Sequence, residues 1–71
     1  MSYPRHDVFT NEYGTWQIER TKDSRGYLRY KLWFWVAVVG QWFLVANQGR
    51  RRTCVELANV GYRLEEVENL P

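Results

Sequence analysis

The stretch Tyr27–Gln48, YLRYKLWFWVAVVGQWFLVANQ, is the longest apolar run in the chain and holds three of its four tryptophans. β-Branched and aromatic residues dominate it, the composition that a pleated, half-buried surface favours. Gly40 breaks the run. As the first residue of a two-residue loop Gly40-Gln41 it suits a type II′ turn, whose positive φ costs glycine little. The stretch therefore reads as a β-hairpin. That turn sets Val39 against Trp42, Ala37 against Leu44 and Trp35 against Ala46 on one face. Val38 then meets Phe43, Val36 meets Val45 and Phe34 meets Asn47 on the other.

A membrane span is the competing explanation, because Leu32–Ala46 is apolar apart from Gly40 and Gln41 and has basic residues on both sides. A spanning helix needs about 20 consecutive apolar residues. This run is shorter and carries a turn signal, so no membrane partner is expected.

Upstream, Tyr13–Lys22 alternates: Trp16, Ile18 and Arg20 on one side, Gln17, Glu19 and Thr21 on the other. That is strand periodicity. Asp23-Ser24-Arg25-Gly26-Tyr27 then reads as a three-residue hairpin loop with Gly26 in the left-handed conformation. This loop length pairs Ile18 with Leu32, Trp16 with Phe34 and Glu19 with Lys31, matching polarity and charge; one residue more would put Ile18 opposite Lys31. The expected core face holds Trp16, Ile18, Leu28, Tyr30, Leu32, Phe34, Val36, Val38, Phe43 and Val45. The opposite face holds Gln17, Glu19, Thr21, Arg29, Lys31, Trp33, Trp35, Trp42 and Leu44.

Downstream of Gln48-Gly49 and Arg50-Arg51-Arg52, Thr53 followed three residues later by Glu56 is the capping-box pattern of a helix start. Leu57, Ala58, Val60, Gly61, Leu64 and Val67 continue as a stripe of helical period, opposite Glu56, Asn59, Arg63 and Glu66. The expected architecture is α+β: a three-stranded antiparallel meander covered on one face by a C-terminal helix. Gly61 leaves an alternative, a shorter helix ending there and a fourth strand over Tyr62–Val67. Residues 1–12 have no sustained period and read as an N-terminal arm, although Val8 and Phe9 are able to fold back on the sheet edge; residues 13–71 form the single domain.

Seventy-one residues, 45% hydrophobic and 17% aromatic, suit one small globular domain in which a single core is marginal. No apolar leader precedes Thr10, and a lone Cys54 makes no internal disulfide, which together point to the cytoplasm. The net charge of +2 is small, but its distribution is uneven. Arg20–Arg52 contains eight basic residues and one acid, Asp23, whereas Arg63 faces Glu56, Glu65, Glu66 and Glu68 after it.

Little in the sequence supports catalysis. Ser2 and Ser24 have no base nearby, His6 has no partner at ligand spacing, and the late glutamates read as a solvated face. Cys54 near a helix start and several arginines is a candidate thiolate, yet a small buried hydrophobe is the ordinary role of a free cysteine. No glycine-rich phosphate loop is present. No enzyme activity, metal, cofactor or small-molecule substrate is expected.

The second sheet face is different. Trp33, Trp35 and Trp42 cannot join a core that one helix covers from the other side, and clustered exposed aromatics mark binding surfaces. Nucleic acid, in particular DNA, is one expected partner: Arg20, Arg29 and Lys31 would neutralise phosphates, Arg50, Arg51 and Arg52 would anchor the backbone, and a tryptophan would stack on a base. The element order over Trp16–Leu64 resembles the DNA-binding domains of the integrase amino-terminal type, in which an antiparallel sheet backed by a helix enters the major groove. A larger protein is the alternative, since Trp, Tyr and Arg are the anchors of protein interfaces. A stoichiometric inhibitor, such as a phage-encoded protein blocking a host complex, would have this composition, and so would a homodimer burying its tryptophans.

Overall fold

The computed structural model describes residues 5–68, with the side chains of Val67 and Glu68 excepted. Ser2, at the N-terminal end, and the closing Asn69-Leu70-Pro71 lie outside this range. The elements are β1 (His6–Asn11), β2 (Gly14–Lys22), β3 (Leu28–Val36), β4 (Gln41–Gln48), α1 (Arg51–Asn59) and α2 (Leu64–Glu68). The strands make one antiparallel sheet in chain order, β1-β2-β3-β4. The class is the expected α+β, with four strands and a short helix in place of three strands and a long one.

The fourth strand comes from the segment expected to be an arm. Its core-facing residues are Asp7, Phe9 and Asn11, of which only Phe9 is apolar. Phe9 lies opposite Trp16. Asp7 forms an ion pair with Arg51 at the start of α1. Asn11 makes three bonds: its amide donates to the Ala58 carbonyl at 2.9 Å, and its Oδ1 accepts from the Trp16 indole and the Tyr13 amide, each at 2.9 Å. Polar residues therefore anchor β1 to the helix, which is why hydrophobic periodicity misses it.

The β2–β3 register is the expected one, with Ile18 opposite Leu32, Trp16 opposite Phe34 and Glu19 opposite Lys31. Asp23 holds the loop by accepting from the amides of Arg25 and Tyr27, and Gly26 has φ +84°.

The β3–β4 register differs. Val36 pairs with Gln41 across a four-residue turn, Ala37–Gly40, closed by the Gly40 amide on the Val36 carbonyl at 2.8 Å. Trp35 now faces Trp42 and Phe34 faces Phe43. The tryptophan rings meet edge-on, with centroids 5.3 Å apart. These aromatic pairs outweigh the expected Trp35–Ala46 match, at the expense of leaving Val38 95% exposed instead of in the core. A shift of four residues is even, so Trp42 and Leu44 keep their expected face. A β-bulge between Leu32 and Trp33 then makes Val45 the extra residue of β4. Val45 is buried, Ala46 also packs on the core, and Asn47 moves to the face of Lys31.

α1 covers the core face. Trp16, Ile18, Leu32, Val45, Cys54 and Ala58 are its buried centre, with Phe9, Tyr30, Phe34, Val55, Leu57 and Leu64 packed around them. Leu28, at the sheet end, and Val60 are exposed, unlike the expectation for both. The helix starts at Arg51, with Arg50 as its N-cap and no side-chain cap, so Thr53 lies within the first turn and does not cap it. It ends early. The Tyr62 amide reaches the Leu57 carbonyl at 3.0 Å and the Gly61 amide the Ala58 carbonyl at 3.2 Å, with Gly61 at φ +64°. This is the Schellman arrangement. The shorter helix is thus present, but the added strand is N-terminal, and Leu64–Glu68 is helical.

Candidate functional site

The nine residues singled out from the sequence fall into two groups on opposite sides of the sheet. Arg29, Lys31, Trp33, Trp35 and Trp42 share the face that α1 leaves open. Arg20 belongs to the core-face parity of Trp16 and Ile18, and Arg50, Arg51 and Arg52 accompany α1. The alternation along β2 already carried the signal that separates Arg20 from the tryptophans.

Hydrogen-bonded register arranges the open face in rows across the strands. One row runs Val8, Gln17, Trp33, Leu44, and the next His6, Glu19, Lys31, Asn47. Trp35 and Trp42 form the aromatic end beside Thr15 and Thr10, while Thr21 and Arg29 form the polar end. Val8 is 56%, Leu44 49% and Trp35 37% exposed; Trp33 and Trp42 are half-buried by their neighbours. No described element lies over these side chains.

Several polar groups on this face are hydrogen-bonded within the chain. Arg29 donates through Nε to Asn47 Oδ1 and through Nη2 to the Asn47 carbonyl, both at 3.1 Å. Glu19 stands beside Lys31 and accepts the Trp33 indole N–H at 3.2 Å. His6 bonds to Gln17 Oε1 through Nδ1 at 3.0 Å. Glu19 stands where the sequence places it, opposite Lys31 and on the face of Trp33, whereas Asn47 is not legible there because the bulge that turns it leaves no sequence mark. What faces outward is apolar and aromatic surface with Arg29, Glu19 and His6 held in hydrogen bonds around it.

The helix side has the opposite character. Arg5, Arg20, Thr21, Lys22 and Leu28 line one concavity at the end of the sheet. Arg51 lies close by through Asp7, two residues along β1 from Arg5, while Arg52 approaches Glu56 at 4.0 Å from an exposed position.

Cys54 is fully buried and its thiol donates to the Tyr30 carbonyl at 3.4 Å. Burial pushes the thiol above its ordinary value, and the Arg51 charge offsets only part of that. The thiolate that the sequence allowed is therefore disfavoured. A thiol that holds its proton more tightly folded than unfolded leaves stability unchanged below its ordinary pKa and erodes it as pH rises past 9.0. Native protein at pH 7 is expected to resist a disulfide exchange reagent until unfolded, and Cys54→Ala to flatten the alkaline decline seen in denaturation curves. Rapid native labelling would contradict this burial.

Among the described residues no cluster of three His, Cys, Asp or Glu side chains is placed to hold a metal, and no helix is long and apolar enough to cross a membrane. Fold and surface define a small α+β protein with a four-stranded antiparallel sheet, one face covered by α1 and the other with no described element over it. Comparison with protein-family models, curated proteins and solved structures finds no match for this chain.

Proposed function

We propose that this is a non-enzymatic binding protein whose open sheet face docks onto another protein. One observation carries the proposal: Trp33, Trp35, Trp42 and Leu44 form an apolar patch that no described element covers, with Val8 beyond Gln17 in the same row, while Arg29 is hydrogen-bonded to Asn47 and Glu19 to the Trp33 indole. Aromatic anchors ringed by satisfied polar groups suit a protein interface. Phosphates would have to compete with Asn47 for Arg29. Tryptophan fluorescence tests it. Duplex and single-stranded DNA, added at two salt concentrations, should leave the open-face emission unchanged. Salt-sensitive quenching that disappears in Trp35→Ala would overturn protein docking in favour of nucleic acid stacking on this face.

A second reading is favoured by the concavity of Arg5, Arg20 and Lys22, for which no ion pair is present among the described residues. Such a cluster suits a phosphate backbone, leaving DNA binding to the helix side. If DNA binds there, Arg20→Ala is expected to reduce the salt dependence of affinity by about one phosphate contact. Trp35→Ala would leave that affinity untouched. An Arg20→Ala protein with the same salt slope would exclude this corner.

A further inference from the structure

Taking the open face as a protein-docking surface, we infer that its occupant is a second copy of this chain, related by a two-fold axis running along the strands above the β2–β3 seam. Such an axis reverses strand order and keeps the rows level. β1 of one copy then faces β4 of the other, and β2 faces β3. In the charged row, Glu19 comes over Lys31 of the second copy and Lys31 over its Glu19, giving an alternating square of four charges. His6 comes over Asn47. In the next row, exposed Val8 comes over exposed Leu44, and Gln17 over Trp33. At the ends, Thr15 meets Trp35, Thr10 meets Trp42, and Thr21 meets Arg29. No like charges are opposed. A two-fold across the strands, through the Trp33 row, loses this match: Lys31 comes over Trp35 and Glu19 over Thr15, leaving both without a counter-charge on the second copy.

Face-to-face sheets pack about 10 Å apart with their strands within about 30°, which this symmetry respects. Four strands at about 4.8 Å spacing, with the rows above, give a face roughly 20 Å on a side. That lies at the low end of specific interfaces, so association is expected at tens of micromolar and not at nanomolar concentration.

The decisive pair is Val8 and Leu44. Within one chain they occupy opposite edges of the sheet, β1 and β4, three strand spacings or about 14 Å apart. Across the proposed axis they touch. Sedimentation equilibrium of the wild type is expected to show the 8.6 kDa monomer passing to twice that mass as concentration rises. Val8→Glu and Leu44→Lys should each remain monomeric with unchanged circular dichroism, because each sets a charge against an apolar side chain. The double variant should dimerise again at low salt, where each new glutamate meets a new lysine of the second copy. Failure of the double variant to recover, with both single variants folded and monomeric, would overturn this axis. A wild type that stays monomeric throughout would overturn self-association and leave the face to a different protein. DNA that binds the wild type and is lost in Leu44→Lys would overturn both this inference and the docking proposal beneath it.

Discussion

Trp16→Ala is expected to remove most of the stability of the domain. The side chain is fully buried, its ring meets Phe34 edge-on with centroids 4.7 Å apart, and its N–H is held by Asn11 Oδ1. Phe9 packs on its β1 side. Truncating such a residue costs about 3–5 kcal/mol. A domain of this length has roughly 4–10 kcal/mol in total, so the variant should be extensively unfolded near 37 °C. Trp16→Phe keeps much of the contact area and forfeits one hydrogen bond, worth about 1 kcal/mol. Trp35→Ala is the control: it forfeits the Trp42 ring contact, worth about 0.5–1.5 kcal/mol, and, at a residue 37% exposed, less buried area than Trp16. Urea denaturation should show by far the largest loss for Trp16→Ala, with Trp16→Phe and Trp35→Ala both well below it. Equal losses for Trp16→Ala and Trp35→Ala would mean that the two faces are not distinguished as described.

That contrast between two tryptophans was legible before any coordinates. Parity along β2 and β3 follows from one loop, and the Glu19–Lys31 match selects its length. Even the misplaced β3–β4 turn did little harm to the faces, because the register moved by an even number of residues. What escaped the sequence shares one physical origin, namely polar groups satisfied at long range. Asp7 and Asn11 look like arm residues until Arg51, Trp16 and Ala58 supply their partners. Asn47 looks like a core-side error until the bulge at Val45 turns it toward Arg29. The Thr53–Glu56 pattern is a valid helix start that the chain does not use, since the N-cap is Arg50, three residues earlier, and has no side-chain cap bond. At the candidate site the tryptophan cluster is legible in the sequence, whereas the hydrogen bonds that hold Arg29 to Asn47 and Glu19 to the Trp33 indole are not. That difference moves the favoured partner from nucleic acid toward protein.

The two faces also divide the labour of the arginines. Docking through the open face leaves Arg5, Arg20 and Lys22 uncovered on the helix side, where β1 and α1 join through Asp7 and Arg51. In a symmetric pair of copies these corners would lie on the outer surfaces. Protein contact on one side and phosphate contact on the other are therefore compatible, and the Leu44→Lys and Arg20→Ala variants address them separately.

Gly61→Ala is the second substitution expected to be severe. The residue sits just past the end of α1 at φ +64°, where an L side chain costs about 1–2 kcal/mol. Space is also lacking: an added Cβ would stand 2.7–3.0 Å from the Cδ1, Cε1 and Cγ atoms of Tyr13, which lies in the β1–β2 turn. Displacing that ring adds an overpacking cost of about 1–3 kcal/mol. The total, about 2–5 kcal/mol, would rival the loss of a core side chain. A double-mutant cycle with Tyr13→Ala separates the two contributions. In the Tyr13→Ala background the clash is gone, and Gly61→Ala should cost only its backbone share. The sign of the effect is itself diagnostic. In a helix interior, alanine is favoured over glycine by about 1 kcal/mol, so stabilisation by Gly61→Ala would mean that α1 runs on through position 61 as one long amphipathic helix. Destabilisation relieved by Tyr13→Ala fixes the break at Gly61 and seats the β1–β2 turn against it.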